Sequence, residues 1–421
     1  MRILIVSEDI PQPAMGGLAK HALALCRALT RLGHQVDLLG NDLHPIDPGN
    51  VELQFGGRIF GKLNGHFIQW KEPTLGMFLP QRRTWVARRF ARIIMQHAPA
   101  YDVIHYHGHF PNLAKFIPSH VNFVQTRHDQ GSDCLLDTRF RNGRICTETE
   151  PEACASCRSA QPHPVQKWVS TMAVQRFRSE VMQGFRQHKT VFVSDMLHRN
   201  FARSCGEGPW GVTIHNFADL EPIMAARERA ERQASASDVI RVVVAAKLWA
   251  AKGVTPFVRE FSRQHRAGME LTVVGDGPEL PALRREFESS HIRFAGWCDA
   301  ERTLELAAAA HAIVVPSVWE EPCATTVLEG LLLGKTTFAL EAGGTPELSL
   351  YAQAPEQFRL HPTIEGLVQD LVSAELRKTY PLPPDRLGSA ERAAERLLRL
   401  YAAPLGKLAT LQEQPCPSVS P

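Results

Sequence analysis

The sequence has no apolar run of the roughly 18–20 residues that a membrane-spanning helix needs. The apolar stretch at its start, residues 1–6, is followed at once by Ser7, Glu8 and Asp9 and is too short for a secretory signal peptide. We interpret this stretch as a buried strand, and we expect the protein to stay in the cytoplasm, with peripheral contact at the inner membrane face left open.

The sequence also has little excess of charge of either sign, because 47 lysines and arginines oppose 44 aspartates and glutamates and the formal net charge is only +3. A balance of this kind gives no reason to expect nucleic acid as a partner. No repeat of fixed short period is present. The length of 421 residues suits two domains of about 200 residues each.

An alternation of strands and helices runs through the chain. It begins with a strand at residues 3–6, a loop ending in Gly16 and Gly17, a helix at residues 18–32 and a strand at residues 36–39. This order predicts an α/β fold with parallel, doubly wound sheets. Later strands are expected at residues 102–107, 121–125, 190–193, 239–245, 271–274, 292–294, 312–315 and 337–339, with the strand at 190–193 closing the first half. Helices are expected at 111–117, 254–265, 281–288, 301–309 and 326–333.

We place an acceptor-binding Rossmann-like domain at residues 1–210 and a nucleotide-sugar-binding Rossmann-like domain at 211–388. The helix at 389–404 is expected to cross back, and 405–421 forms a tail. Two such domains should face a central cleft. Ligands of doubly wound sheets bind beyond the carboxyl ends of the strands, so loops that follow strands are the candidate sites.

The densest signal is the segment 316–330, in which a loop carries Glu321 and a helix then carries Glu329. The start of a helix offers unpaired N–H groups and a positive dipole end to an anionic phosphate. Glu329 could accept hydrogen bonds from ribose hydroxyls, and Glu321 could reach a sugar on the phosphates. Taken alone, the two glutamates favour another interpretation, in which one acidic residue complements the helix dipole and the other is solvated.

The whole chain resembles retaining glycosyltransferases of the GT-B fold, in the group that contains phosphatidylinositol mannosyltransferases and sucrose synthase. The resemblance rests on ordered motifs across the sequence. They are Gly16-Gly17, residues 33–36, 102–105, 192–194 and 214–216, Lys252-Gly253, residues 275–279 and 294–296, the segment 316–330, Gly334-Lys335 and residues 343–347.

In the second domain, the resemblance implies that Glu329 binds the nucleotide ribose and Glu321 the donor sugar. It also implies that Lys252 and Lys247 hold the diphosphate. The donor pocket would include Cys323, Ala324 and Thr325. The family commonly has Phe-Gly at positions 323–324 and Gly-Arg at positions 246–247, so this chain has a lysine where the family has the arginine fork.

In the first domain, His128 matches the family histidine near the reacting carbon, with a satisfied histidine at a strand end as the alternative. His107 either contacts the acceptor or is structural. Gly16 and Gly17 either bring N–H groups to the phosphates or make a tight turn.

The resemblance implies retaining transfer from a nucleotide sugar, with UDP- or GDP-sugars as expected donors, to the hydroxyl of an acceptor in glycan, glycolipid or metabolite biosynthesis. It implies no cofactor or metal for catalysis, and the chain lacks the Asp-x-Asp pair with which the other main transferase fold holds its metal. The alternatives are a nucleotide-sugar epimerase, a phosphorylase, or an inactive sugar-nucleotide-binding module.

Four of the nine cysteines crowd into an insertion at residues 130–160: Cys134, Cys146, Cys154 and Cys157. This number and the C-x-x-C step suit a structural tetrahedral Zn²⁺. Free thiols and disulfides are the other interpretations.

Residues 58–89 interleave aromatic side chains with lysines and arginines. This pattern fits contact with a membrane surface and a lipid-linked acceptor. It also fits an ordinary amphipathic wall of the first domain.

Overall fold

A computed structural model describes residues 1–10, 17–41, 55–63, 80–157, 163–233, 238–264 and 266–405. The chain divides into two compact units. The first contains residues 1–139, 146–215 and the chain from Ala393 onward, and the second contains residues 140–145 and 216–392.

The first unit is built on a seven-stranded sheet with the order β3-β2-β1-β4-β5-β8-β9, in which every neighbouring pair is parallel. Its strands are β1 (Arg2–Asp9), β2 (Gln35–Asn41), β3 (Ile59–Phe60), β4 (Val103–His107), β5 (Phe123–Arg127), β8 (Lys189–Phe192) and β9 (Val212–Thr213). Between β5 and β8, β6 (Phe140–Arg141) and β7 (Arg144–Ile145) form a short antiparallel pair.

The helices of the first unit connect these parallel strands. They are α1 (Gly17–Arg31), α2 (Pro80–His97), α3 (Pro151–Ala155), α4 (Pro164–Gln187) and α5 (Asp195–Cys205). The run Ile3-Leu4-Ile5-Val6 in β1 is fully buried, as expected for a central strand covered on both faces.

The second unit has a six-stranded, all-parallel sheet with the order β12-β11-β10-β13-β14-β15. Its strands are β10 (Ile240–Ala245), β11 (Met269–Val274), β12 (Ile292–Gly296), β13 (Ala312–Val315), β14 (Thr336–Leu340) and β15 (Phe358–His361). Its helices are α6 (Leu220–Arg232), α7 (Val254–Arg263), α8 (Leu280–Phe287), α9 (Ala300–Ala309), α10 (Thr325–Leu332) and α11 (Ile364–Ser373). The final helix, α12 (Ala390–Ala402), runs from the second unit into the residues grouped with the first.

The predicted α/β class and the doubly wound parallel sheets are confirmed. The expectation that residues 190–193 close the first half is wrong, because β9 pairs with β8 beyond it. A strand of only two residues carries too little alternation to be found by pattern. At the start of the second unit, α6 buries Leu220, Ile223 and Ala226 at helical spacing.

Candidate functional site

The loop that follows β13 holds Glu321 in the second unit. Ser317 Oγ donates a hydrogen bond of 2.6 Å to Glu321 Oε1, and the ammonium group of Lys252 forms an ion pair with the same oxygen. The carboxylate is buried, and the Lys252 ammonium also lies 5.3 Å from the ring centroid of Trp319. The residue predicted to hold the diphosphate therefore contacts the residue predicted to hold the sugar.

The carboxyl group of Glu321 remains charged despite its burial. Desolvation alone would raise its pKa, but the nearby charge and hydrogen bond of Lys252, with the hydroxyl of Ser317, hold the pKa below its usual value. At neutral pH the site thus contains a buried carboxylate that can accept hydrogen bonds from sugar hydroxyls.

Gly253 fixes the Lys252 loop against the Glu321 loop. Its backbone is left-handed, with φ of +64°, and a Cβ atom there would lie 2.0 Å from the carbonyl oxygen of Pro316. The N–H of Val318 donates to the carbonyl of Ala251 at 3.0 Å, next to this close approach. Only glycine allows both the conformation and the contact.

Helix α10 begins at Thr325, directly after Ala324. Ala324 has no side chain that can cap the helix, so the first N–H groups are not satisfied by the N-cap residue and suit an anionic ligand. Glu329 is half-buried one turn further along the helix. Cys323 and Ala324 are both buried, and burial raises the pKa of the Cys323 thiol to about 12, so the thiol is neutral at this position.

Lys247 lies two residues beyond the end of β10, in the loop that leads to Lys252. It is exposed, whereas Lys252 is half-buried. The structure thus brings Lys252, Glu321, Ser317 and the start of α10 to the carboxyl ends of β10 and β13, and it leaves Lys247 extended toward solvent.

In the first unit, His107 ends β4 and His128 directly follows β5, the neighbouring strand. Their rings meet, with 3.0 Å between His107 Nδ1 and His128 Nε2. His21, in the second turn of α1, joins them, since its ring centroid is 4.6 Å from that of His128 and 5.3 Å from that of His107. The nitrogens that the three side chains offer lie within 4.8 Å of one another.

These histidines are neutral at physiological pH. Burial lowers the pKa of His21 to about 3, and it lowers the pKa values of His107 and His128 well below their usual range. Neutral imidazoles can accept hydrogen bonds and can bind metals.

The loop after His128 is held by charge pairs. Asp129 accepts hydrogen bonds from His109 Nδ1 at 2.6 Å and from the N–H of Gly131 at 2.7 Å, and Arg127 donates to the carbonyl of Gly108 at 2.5 Å. Although burial opposes it, the Asp129 carboxylate raises the pKa of His109 to about 10. The His109–Asp129 pair is therefore ionic, and it fixes the backbone next to His128.

Gly17 is exposed and begins α1, and a Cβ atom there would contact nothing within 4 Å. Gly16 lies outside the described residues. Phosphate binding by the loop that contains Gly16 and Gly17 therefore remains a prediction.

The four cysteines of the insertion have no disulfides. Cys154 Sγ accepts a hydrogen bond of 3.3 Å from Arg178 Nη2 of α4. The pKa of the Cys134 thiol is raised to about 12, mainly by burial and secondarily by the negative charge of Asp133. In the part of the chain that the structure describes, His21, His107 and His128 are the only group of three or more His, Cys, Asp or Glu whose ligand atoms all lie this close, so the zinc site stays a prediction.

Sequence reasoning missed His21, His109, Asp129 and Cys205. His109 and Asp129 stand next to recognised residues, in His107-Gly108-His109 and His128-Asp129, so their spacing could have indicated them. No local signal marks His21. Cys205, at the end of α5, is affected by the same two charges, Asp133 and Arg178, that act on Cys154, and no sequence motif links the two cysteines.

Two doubly wound parallel units, with polar and charged loops at the carboxyl ends of their strands, define an α/β protein of the nucleotide-binding type. Two family models match the chain: Glycosyltransferase Family 4 over residues 15–222 and Glycosyl transferases group 1 over residues 240–362. The chain belongs to the glycosyltransferases of the GT-B fold described by these two families.

Among characterised relatives, the chain is similar to glycogen synthase of Mycobacterium tuberculosis, with 23% identity over 402 residues, covering 90% of this chain and 88% of the relative. The structure of sucrose-phosphate synthase from Thermosynechococcus elongatus has a TM-score of 0.66 at 18% identity, covering 95% of this chain and 98% of that one. The structure of HepE from Anabaena in complex with UDP-glucose has a TM-score of 0.55 at 15% identity, covering 98% and 97% of the two chains.

Within the described residues, no helix combines the length and the apolar character needed to cross a bilayer.

Proposed function

We propose that the protein transfers a sugar from a nucleotide-sugar donor to an acceptor hydroxyl with retention of configuration and without a catalytic metal. The observation that carries this proposal is the cluster of Lys252, Glu321 and Ser317 beside the uncapped start of α10, one turn from Glu329. The ammonium group of Lys252 and the N–H groups at the start of α10 would bind the diphosphate. The carboxylates of Glu321 and Glu329 would accept hydrogen bonds from the hydroxyls of the sugar and the ribose.

Transfer would begin when the diphosphate leaves C1 of the sugar. Lys252, Lys247 and the start of α10 would stabilise the negative charge that grows on the leaving group. The sugar would pass through an oxocarbenium-like state, and the acceptor would attack on the face that the phosphate leaves. The departing phosphate would accept the proton of the acceptor, so no separate base is required. His128 is assigned to the reacting sugar by the family resemblance.

A thermal-shift screen with UDP-, GDP-, ADP- and dTDP-sugars tests donor binding. A ligand that binds only the folded protein raises the melting temperature with its occupancy, and we expect UDP- or GDP-sugars to give the largest shift. HepE is solved with UDP-glucose, which supports a uridine donor. No shift with any of the four nucleotide sugars would contradict donor binding.

Transfer itself is tested with the donor that binds. We expect turnover in the presence of a chelator, the same anomeric configuration in donor and product by NMR, and loss of transfer in His128→Ala with an unchanged melting temperature. Unchanged turnover in this variant would refute the role of His128. Donor turnover without an acceptor would instead indicate an epimerase. A requirement for inorganic phosphate would indicate a phosphorylase, and donor binding without any transfer would indicate an inactive binding module.

The cysteine insertion is proposed to hold a structural Zn²⁺ through Cys134, Cys146, Cys154 and Cys157. Four thiolates would leave the metal no open position, so its role would be to fold the insertion. Elemental analysis of the pure protein should find about one tightly bound zinc per chain, and less than about half an equivalent would refute the site.

Peripheral contact with an anionic membrane is proposed for the exposed face of α2. This helix has five arginines and no acidic residue. Arg82, Arg88 and Arg92 are exposed, together with Trp85, which is 50% exposed. Helix α4 of the same unit also exposes an apolar face, made of Val165, Trp168, Val169 and Met172. Phe67, Trp70, Lys71 and Phe78 of the predicted stretch lie outside the described residues.

A further inference from the structure

Three histidines from three separate elements of the first unit meet at the carboxyl ends of β4 and β5. We propose that His21, His107 and His128 form a binding site for a divalent transition-metal cation, with Zn²⁺ as the representative, and that the bound cation inhibits sugar transfer. The inhibitory part rests on the proposed function, because it requires that His128 takes part in transfer.

The spacing of the nitrogens suits a tetrahedral cation. Zn–N bonds of about 2.0–2.1 Å place two ligand nitrogens roughly 3.3 Å apart. His107 Nδ1 and His128 Nε2 are 3.0 Å apart, so a few tenths of an ångström of movement would admit the ion between them. The ligand nitrogen of His21 lies within 4.8 Å of the other two, which is within the reach of a small side-chain rotation.

The surroundings leave the ring of His107, and not that of the neighbouring His105, available as a ligand. His105 is buried close by, but its two nitrogens are already bonded to Tyr401 Oη at 2.7 Å and to Thr126 Oγ1 at 2.8 Å. By contrast, His107 Nε2 is buried and has no hydrogen-bond partner among the described residues. This nitrogen is on the other side of the imidazole from Nδ1, so no hydrogen bond at Nε2 opposes the small ring movement that would let Nδ1 bind the cation beside His128 Nε2.

The ligand type selects the class of cation. Imidazole nitrogens suit Zn²⁺, Cu²⁺ and Ni²⁺, whereas Mg²⁺ and Ca²⁺ prefer oxygen ligands. Three protein ligands would leave at least one coordination position open for water or for an acceptor hydroxyl. Because His128 would then be bound to the cation, it could no longer contact the donor sugar, and transfer should stop while the cation is bound.

Co²⁺ is the probe, because its visible absorption reports ligand type and geometry. The full-length protein is freed of metal with a chelator, its melting temperature is compared with that of the protein as purified to check that it remains folded, and it is then titrated with Co²⁺. We expect a visible d–d band that belongs to the histidine site and lacks the near-ultraviolet charge-transfer absorption that thiolate ligands add. This difference separates the histidine site from any Co²⁺ taken up by the cysteine insertion.

The deciding comparison is between wild type and His21→Asn, which removes one ligand and leaves His128 in place. We expect the variant to bind Co²⁺ at the histidine site at least about 100-fold more weakly, since loss of a residue that only supports a metal ligand through a hydrogen bond already costs about 10–100-fold in metal affinity. His120→Asn is the matched control, because His120 is an exposed histidine of the same unit outside the cluster, and it should bind like wild type. A His107→Asn variant with the same loss and an unchanged melting temperature would exclude misfolding as the cause.

Equal Co²⁺ binding by wild type, His21→Asn and His107→Asn would overturn the site, and the histidines would then be a hydrogen-bonded cluster only. In the transfer assay, Zn²⁺ should inhibit the wild type and have much less effect on His21→Asn. Binding of the cation with undiminished transfer would overturn its inhibitory effect. The Co²⁺ spectrum does not depend on any donor or acceptor, so a failure of the proposed transferase activity would be seen separately.

Discussion

At the scale of single residues, Lys252 and Glu321 form an ion pair although they are 69 positions apart in the sequence. A donor diphosphate would compete with Glu321 for the ammonium, and the sugar hydroxyls would compete with Lys252 for the carboxylate. The ion pair thus holds both side chains in place before the donor binds, and the donor must replace this interaction.

Glu329→Ala should weaken binding of the nucleotide sugar by about 10–150-fold, because hydrogen bonds to a charged group contribute about 1.5–3 kcal/mol. Isothermal titration with the donor found in the thermal-shift screen measures the loss. Glu286→Ala is the control, since Glu286 is exposed and forms only a long surface ion pair of 3.8 Å with Arg259. Equal donor affinities of the two variants would show that Glu329 does not contribute to donor binding.

Lys335→Met should stabilise the protein near pH 7. Burial, and secondarily the charge of Arg227, lowers the pKa of Lys335 to about 8 from the usual 10.5. The folded state therefore binds fewer protons than the unfolded state between about pH 8 and pH 10.5, so this group destabilises the fold at neutral pH and the penalty fades as the pH rises through that window.

Thermal melts at pH 7 and pH 10 check this prediction. The melting temperature of Lys335→Met should exceed that of wild type at pH 7 by roughly 2–4 °C for each kcal/mol recovered, with a smaller gain at pH 10. Lys378→Met, which removes an exposed lysine paired with Glu356, should give no such gain. A gain that is equal at both pH values would show that packing, not charge, is responsible.

At the scale of elements, the site of the second unit depends on two loops that touch through backbone atoms. The loop after β10 carries Lys252, and the loop after β13 carries Glu321. These strands are neighbours in the sheet, which brings the loops together although 69 residues separate the two side chains. The sheet order, and not the local sequence, creates the contact.

Gly253→Ala should disrupt this contact. The variant would meet the strain of a left-handed backbone, about 1–2 kcal/mol, and in addition a Cβ atom 2.0 Å from the carbonyl oxygen of Pro316. We expect a loss of stability greater than the strain alone, together with loss of donor binding, measured by thermal melts and titration.

Gly268→Ala is a matched control in the same unit. Gly268 has a similar φ of +80°, but its Cβ atom would approach no atom closer than 3.9 Å. The Gly268→Ala variant should lose only as much stability as the backbone strain costs, and it should retain donor binding. Equal effects of the two substitutions would mean that the close approach to Pro316 does not hold the site together.

At the scale of the whole molecule, the formal charge of +3 conceals a strongly basic helix. Arg82, Arg88 and Arg92 of α2 are exposed, and the helix contains no acidic residue. The overall charge gives no reason to expect a negatively charged partner, whereas this helix is the surface on which we propose that an anionic membrane binds.

Wild-type protein should bind phosphatidylserine-containing vesicles more tightly than phosphatidylcholine vesicles, and added salt should weaken this binding. The triple variant Arg82→Gln, Arg88→Gln, Arg92→Gln should bind anionic vesicles about 100-fold more weakly, at about 1 kcal/mol for each arginine near the surface. Vesicle flotation measures both effects.

The control neutralises three exposed arginines of the second unit, with the substitutions Arg285→Gln, Arg293→Gln and Arg302→Gln. It changes the net charge by the same amount but leaves α2 intact. If both triple variants lose binding equally, net charge alone would account for the attraction, and the proposed surface on α2 would be wrong.

The sequence by itself determined the class of the fold and predicted which residues form the proposed donor site. Strands such as β1 are continuous apolar runs because both of their faces are buried, and this pattern is local. The tertiary structure decided the partners. It pairs Lys252 with Glu321, brings His21 to His107 and His128, and sets Cys205 near charges that also act on Cys154. These contacts join residues far apart in the chain, and they follow from the order of the strands and the packing of helices, which no local spacing encodes.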